Sequence, residues 1–596
     1  MQPTKIYPTC LRPSCLAPTR NGFRLSGAGF WLAAWAILFL LPRMAAQPTT
    51  LPLQAPAHHI LDRLDILSGG ESPIHPELRP FSRRDAVEFA RLVYARDSTT
   101  SARDRQDLQY LFDDNSEWLT GPDGLPDPAL CPPTRKPLFG IFFRSPASVF
   151  EVNAPAFHLR VNPMLNFSLG KARDDAEWLF FNQRGLQVRG DIDGRVFFYT
   201  DILETQARFP DYVNRRIDEY QAIPGAGFFK TYKSAVFNIR NGYDFNLANA
   251  YVGYQLTKHI GIQLGHGQHF IGNGYRSLFL SDAANYTYYL QFSTRIWRLH
   301  YQNLFLELNP ISTAVPRPQN SLLPKKYVAA HYLNFKASRN LAFGFFEATV
   351  FNRSRQFELQ YLNPVILYRT VEGMIGSPDN VLVGFDGRWN LARRIQVYGQ
   401  VLIDEFLFSA LYKPAEKGWW GNKFGWQGGF KYINAFGVDH LDLQVEYNSV
   451  RPYTYSSFDS LNSYTHYNQP LAHPLGANFN EWIVIARYQP LKRLCLTARM
   501  MRARTGENPD GENWGGNPLL SNGTRVADYG NFIGQGATAT VGLAGLDASW
   551  SLYHNLYLDA RFLLRRKDSV DGLRDLTTQL FSFGVRWNVW NQNLDF

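Results

Sequence analysis

From about Ala156 onward the chain alternates apolar and polar residues with a period of two. Near the end, Phe581, Phe583, Val585, Trp587 and Val589 fall on one side, and Ser582, Gly584, Arg586 and Asn588 on the other. Leu441 to Tyr447 repeats the pattern, with Asp442, Gln444 and Glu446 on the wet side. Side chains of a strand alternate faces, so each such segment has one oily and one wet surface. A soluble sandwich would turn the oily faces inward, whereas a membrane barrel would turn them to lipid.

The connections favour the barrel. Short turns are predicted at Asp191 to Gly194, Thr257 to His259, Ser293 to Arg295, Ala337 to Asn340, Ala392 to Arg394, Asn434 to Asp439, Pro490 to Arg493 and Leu552 to Asn555. Longer connections lie between them, at about 170–178, 207–232, 268–287, 309–325, 352–380, 408–424, 450–481, 504–535 and 566–576. Strict alternation of short and long connections is what an up-and-down barrel with short periplasmic turns and long outside loops requires. Eight turns and nine loops join about eighteen antiparallel strands. The expected fold is thus an all-β, up-and-down transmembrane β-barrel with a small helical region before it. Phe596 is the final residue, and a terminal aromatic is typical of such barrels. Aromatics, 15% of the chain, suit the girdles at both membrane interfaces.

The opening sets the compartment. Lys5, Arg12, Arg20 and Arg24 precede an apolar run from Leu25 to Leu41, followed by "PRMAAQ". This order describes a cleaved secretory signal peptide, with the cut near Ala46 and Gln47 and a large Met44 at the −3 position. A retained membrane anchor is the alternative, but the run is short for a span that needs about 20 apolar residues. The organisation expected is a signal peptide over 1–46, a periplasmic region with short helices over 47–155, and the barrel over 156–596. In the middle part, Ser82 with Asp85 reads as a capping box before Ala86, Phe89, Ala90 and Val93. Ser101 with Asp104 precedes Leu108, Leu111 and Phe112 in the same way. "HHILDRLDIL", from His58, fits either helix or strand.

Removing residues 1–46 takes away five Lys/Arg and no Asp/Glu, so the formal charge falls from +10 to +5. No nucleic-acid footprint is indicated. Cys10 and Cys15 leave with the signal; Cys131 and Cys495 remain, as one bridge or as two free thiols.

The stretch "GHGQHFIGNGYRSLFLSD", Gly265 to Asp282, has the look of phosphate or metal chemistry. It fails both tests. No glycine lies three after Gly267 and no Lys-Ser/Thr pair follows, while His266 and His269 point to opposite faces of a regular strand. The expected arrangement puts Ile260, Ile262 and Leu264 toward lipid and Gly261, Gln263, Gly265 and Gly267 on the inner wall, where glycine admits a close neighbour. Arg276 and Asp282 are available to fix the loop that follows. "NPDGENWGGN" has the carboxylates of a loose calcium loop but not EF-hand spacing, and no hydrolase motif is found. No cofactor, metal or catalytic residue is therefore expected.

The aromatic loops are the candidate binding surface. "KGWWGNKFGW" carries Trp419, Trp420 and Trp426, and the stretch from Arg451 to His473 carries Tyr453, Tyr455, Tyr464 and Tyr467. Rings with apolar faces and polar tips can stack on sugars, and they equally suit an interfacial girdle.

Several stretches together resemble the Wzi-type capsule-assembly family, in the version found in Bacteroidetes, some of whose members are linked to gliding motility. They are "GHGQHFIGNGYRSLFLSD" from Gly265, "YLNPVILYRTVEGMIGSPDNVLVGFD" from Tyr361, "VYGQVLIDEF" from Val397, and "NWGGN" with "DYGNFIGQG" between Asn513 and Gly536. The resemblance implies an outer-membrane barrel of about eighteen strands, closed by helices at its periplasmic end, that binds surface polysaccharide and helps retain capsule. It supplies no catalytic motif and no ligand residues to carry over.

The reading is a non-enzymatic, lectin-like outer-membrane barrel whose partners are capsular or other surface polysaccharide, membrane lipid, and other surface-assembly or motility proteins. A motility-associated protein, a diffusion or export channel, and an outer-membrane hydrolase are the rivals. A tag inserted near Ser460 should be labelled on intact cells and one near Lys258 should not; reversed labelling would overturn the topology.

Overall fold

The computed structural model describes residues 49–596, apart from 97–100, 120–126, 128, 131–144, 155, 174, 235–238, 312–321, 354–357, 377–378, 510 and 591–593. The expected signal peptide, and Cys10, Cys15 and Cys131, lie outside the described residues. No described helix is long and apolar enough to cross a membrane.

Eighteen long antiparallel strands close a barrel among the described residues. They are β1 Phe157–Ala172, β2 Leu179–Ile192, β3 Val196–Arg208, β4 Ile239–Gln255, β5 Ile260–Gly267, β6 Thr287–Ile296, β7 Leu299–Leu308, β8 Lys326–Lys336 and β9 Leu341–Phe351. The series continues with β10 Asn380–Leu391, β11 Ile395–Glu405, β12 Lys423–Tyr432, β13 Leu441–Val450, β14 Phe479–Leu491, β15 Leu494–Glu507, β16 Ala537–Tyr553, β17 Leu556–Ser569 and β18 Leu576–Trp587. Each pairs with its sequence neighbour, and β18 closes on β1 from Leu580 opposite Ala172 to Trp587 opposite Leu165. A short strand, Phe150–Ala154, pairs with the start of β1 and continues its edge below that seam. Closure leaves the long strands no open edge, so all their backbone groups are satisfied within the wall.

The alternation of short and long connections holds, with one shift of position. Ser293 to Arg295 belong to β6, and the turn is at Trp297 and Arg298, between Ile296 and its partner Leu299. Trp297 takes a left-handed φ of 57° there, which no propensity would assign to a tryptophan.

The barrel is filled from both ends. At the short-turn end sit α1 (Pro56–Ser68), α2 (Arg83–Tyr94) and α3 (Ala102–Asp114). "HHILDRLDIL" is therefore helix, entered through Pro56 and ended by Gly69 in the left-handed region. Ser101 and Asp104 form a complete capping box on α3, while at Ser82 only the bond from the Asp85 amide is made. Leu61, Leu64, Phe89, Leu108, Leu111 and Phe112 join the three helices in one apolar core. Arg103 and Gln106 donate to backbone carbonyls of Asp439, Pro490 and Lys492, which fixes the helices to the short-turn rim.

Their polar faces meet the polar inner wall. Arg63 bonds Asp104 at 2.9 Å and, across to β13, Asp442 at 2.7 Å. Lys431 of β12 meets Asp62 at 2.9 Å, and Arg189 of β2 meets Glu117 at 3.0 Å. Arg388 of β10 bonds both Asp65 and Glu77, the latter at 2.7 Å.

From the opposite rim, the 268–286 connection descends into the lumen. Phe270 and Ile271 pair as a two-residue ladder with Arg79 and Leu78, so the two fillings meet inside the barrel. Phe279 stacks on Phe346 with ring centroids 4.9 Å apart, in space that a side chain at Gly384 of β10 would occupy. Arg276 pairs with Glu481 at 3.4 Å and Asp282 accepts from Gln54 at 2.6 Å, so both expected anchors do fix this segment. A side chain at Gly265 would meet Tyr251 and Tyr289, which confirms a wall glycine making room for neighbours.

The terminal aromatic lies beyond the last strand. β18 stops at Trp587, and the final residues turn back into the barrel, where Phe596 packs on Tyr212 of α4 (Asp211–Tyr220) and under Arg216. Asp595 bonds Tyr275 and pairs with Arg499 at 3.2 Å.

Arg388 is the strongest single tie between filling and wall, and replacing it by Gln leaves two buried carboxylates without compensation. Breaking such a pair costs about 3–5 kcal/mol. We expect Arg388→Gln to show open-channel events in planar bilayers well above those of the parent protein. Conductance equal to the parent's would mean that the remaining contacts hold the filling by themselves.

Candidate functional site

Three kinds of arrangement are seen among the larger described outside connections. The first kind fills the lumen. Besides 268–286, much of 451–478 folds inward: Tyr455 donates to the Leu278 carbonyl at 2.9 Å and stacks on Tyr464. Tyr453, Tyr455 and Tyr464 are 1% exposed or less, and Tyr467 only 4%.

The second kind lies against the outer wall. Odd-numbered residues of β7 to β9 point outward, and among them are Tyr301, Asn303, His331, Glu347 and Thr349. A polar row on a membrane-facing wall must be covered or paired. The segment from Leu359 through α5 (Tyr368–Ile375) runs down over it. Tyr301 and Asn303 donate to the Pro364 carbonyl. Glu347 pairs with His331 at 2.8 Å and accepts the amides of Tyr368 and Arg369 at 2.9 and 3.0 Å, capping α5. Tyr361, Tyr368 and Val371 bury themselves on Phe305, Ala329 and Phe351. The outer side of this strap is apolar, with Val365 83% and Met374 70% exposed.

The third kind forms the crown, built from 406–422 and 508–536 with the tip of 451–478. Backbone bonds tie the first two loops together: Trp420 to Asp528 at 2.8 Å, Gly530 to Lys417 at 2.9 Å and Asn531 to Gly418 at 2.9 Å. The Arg525 guanidinium lies 4.2 Å over the Trp420 ring and its Nε donates to Asp528 at 2.6 Å. Trp419 lies beside Trp420 at 6.0 Å, and both are partly exposed. Around them Phe458, Tyr529 and Phe532 are exposed. Asn478 locks the base of the crown, donating to the carbonyls of Gly506, Trp514 and Gln535 and accepting from Gly534.

Of the sequence-chosen aromatics, the structure brings Trp419 and Trp420 together at the crown. Trp426 belongs to β12 and faces outward in a belt with Tyr447 and Trp482. The four tyrosines pack inside the infolded loop. Sequence reasoning missed Arg525, Asp528, Tyr529 and Phe532; the stretch "DYGNFIGQG" was the available signal, since it supplies three of the crown's exposed residues.

Two lumenal cavities flank the filling. One of about 260 Å³ touches Tyr199, Asp201, Asn249, Tyr251 and Tyr289. The other, about 540 Å³, runs along β13 to β18 past Arg487, Arg499, Arg561 and Arg586. Asp547 pairs with both Arg499 and Arg561, Asp595 adds a second carboxylate at Arg499, and Asp559 pairs with Arg586. Among the described residues, one trio could gather round a metal, Asp104, Asp107 and His440. Arg63 already supplies the positive charge there; burial lowers the His440 imidazole, but the hydrogen bonds it can donate to the Asp107 and Asp439 carboxylates raise it overall. His269 and His266 do point apart, and burial alone holds the His269 imidazole down at about 4.

The model of the capsule assembly protein Wzi family matches residues 184–566. The chain belongs to the Wzi capsule-assembly family. Among solved structures, Escherichia coli Wzi is 12% identical, with a TM-score of 0.55, over 92% of this chain and 100% of that one. Pseudomonas aeruginosa OprD (11% identity, TM-score 0.39) and Acinetobacter baumannii OccAB2 (8%, 0.39) each align with 72% of this chain and with 94% and 97% of their own. No curated protein matches by sequence. This Wzi-family chain is accordingly an outer-membrane barrel, with outward residues such as Phe343 and Phe385 in lipid and the crown outside.

The strap gives a sharp expectation. A cysteine replacing Val365 should resist a membrane-impermeant maleimide on intact cells, and one replacing Phe458 should react; equal labelling would place the strap in water.

Proposed function

We propose that this Wzi-family barrel binds surface polysaccharide at its crown and supports capsule assembly and attachment, without catalysing a reaction. The solved Escherichia coli Wzi is described as a carbohydrate-binding β-barrel involved in group 1 capsule assembly. The observation that carries the reading here is the Trp419 and Trp420 pair, held partly exposed by Arg525 at the outer mouth of a filled barrel.

The physical logic runs from rigidity to recognition. Trp419 and Trp420 sit on loops locked by backbone bonds, so little ordering entropy is lost when a sugar ring stacks on them. Arg525 braces the back of Trp420 and takes one oxygen of the exposed Asp528 carboxylate, which leaves the other for sugar hydroxyls. The filling matters as well: with helices, the 268–286 segment and the C-terminal tail in the lumen, a polymer is held at the surface instead of being passed through. Tyr453 serves this site from beneath, its ring 6.4 Å from Trp420 and its hydroxyl on the Asn513 carbonyl at 2.8 Å.

Replacing Trp419 and Trp420 by Ala should weaken binding of the cell's own polysaccharide by about tenfold, as loss of stacking area would, without lowering the heat stability of the barrel. Undiminished binding would remove the pair from the site. Open conductance by the purified protein, with no glycan bound, would instead make it a channel.

A further inference from the structure

The outward wall of β14 to β17 carries a feature that polysaccharide binding at the crown does not use. Outward positions along this wall are apolar through most of the strand length: Met500 on β15, Ala544 and Leu546 on β16, Phe562 and Leu564 on β17. One layer nearer the crown the chemistry changes. Arg502, Gly542 and Arg566 sit side by side in register on β15, β16 and β17, and Trp482 of β14 completes the row. Arg504 lies one layer higher, beside Thr540 and Asp568.

Trp482 belongs to the belt with Tyr447 and Trp426, and such rings mark the boundary between acyl chains and headgroups. The arginine row is therefore at headgroup depth on the outer-leaflet side. Neither Arg502 nor Arg504 makes a hydrogen bond or ion pair among the described residues, and both are exposed. Arg566 bonds Asp568 at 2.9 Å, and Asp575 also lies within electrostatic reach of it. Three guanidinium groups against these two carboxylates still leave an excess of positive charge at the membrane-facing wall.

Between the two arginines of the row the wall is notched. A side chain at Gly542 would meet nothing within 4 Å. Strands are spaced about 4.8 Å apart, so Arg502 and Arg566, two spacings from each other, flank a gap of phosphate size. Below it, Ala544 lies between Met500 and Leu564 and continues the notch as a shallow apolar groove.

We propose that this notch is a binding site for a phosphorylated lipid of the outer leaflet. The phosphate sits over Gly542, held by charge-assisted bonds from Arg502 and Arg566, with Arg504 reaching a second phosphate or a sugar oxygen. An acyl chain of the same molecule follows the groove over Ala544. The site fixes the depth of the barrel beneath the crown, so that the loops stand clear of the headgroup layer.

Native mass spectrometry of the detergent-solubilised full-length protein tests this, with bis-phosphorylated lipid A, dephosphorylated lipid A and inorganic phosphate as probes. The expected result is retention of phosphorylated lipid A, a loss of about tenfold or more in the double variant Arg502→Gln, Arg566→Gln, and an unshifted heat-unfolding midpoint. A second variant, Gly542→Leu, fills the notch with both arginines in place and should also lose the lipid. Equal retention of dephosphorylated lipid A, or full retention by both variants, would overturn the site. Displacement of the lipid by millimolar inorganic phosphate would show a free-anion site and overturn the lipid assignment.

Discussion

The structure depends on one constraint: a closed barrel with polar side chains on its inner wall needs partners for every buried charge. Arg388 has Asp65 and Glu77, Arg63 has Asp104 and Asp442, and Lys431 has Asp62. Apart from Arg63–Asp104, which joins two inserted helices, each of these pairs ties the wall to a segment inserted from an end. An unpaired ion in a poorly hydrated interior costs several kcal/mol, so wall and filling are specified together. A water-filled pore would not need these pairs.

The same constraint acts on the outside with the opposite sign. A membrane-facing wall tolerates no unpaired polar group, yet β7 to β9 present Tyr301, Asn303, His331 and Glu347 to that side. The chain answers with the strap, which caps Glu347 with its own helix amides and turns Val365 and Met374 outward. With one set of connections spent on the lumen and another on the outer wall, the crown is made from what remains. The proposed glycan surface is therefore sought on two loops and one loop tip.

Rigidity links this to function. The crown loops are tied by backbone bonds and by the hydrogen-bonding side chain of Asn478, and they stand on a closed barrel. Stacking rings held in this way can grip a polymer with little loss of entropy. The proposed retention of polysaccharide at the surface fits both the Wzi family membership and the filled lumen.

What the sequence determined by itself was the barrel. A period-two pattern and the rhythm of short and long connections depend only on strand geometry and membrane thickness, so they are legible along one dimension, down to eighteen strands. The α2 and α3 starts were legible for a similar reason, since Ser101 and Asp104 cap locally. The inner wall at Gly265 also followed from parity. Only the tertiary structure decided where each loop goes. Tyr455 and Trp420 look alike in sequence, both aromatic residues in polar, glycine- or serine-bearing loops; one is buried because its loop finds Leu278 in the lumen, the other partly exposed because its loop pairs with residues more than a hundred positions away. Nor could alternation reveal that Glu347 is covered, because its outward position is correct and the cover comes from α5. Contacts between segments remote in sequence carry no local signature, and in this protein those contacts choose the site.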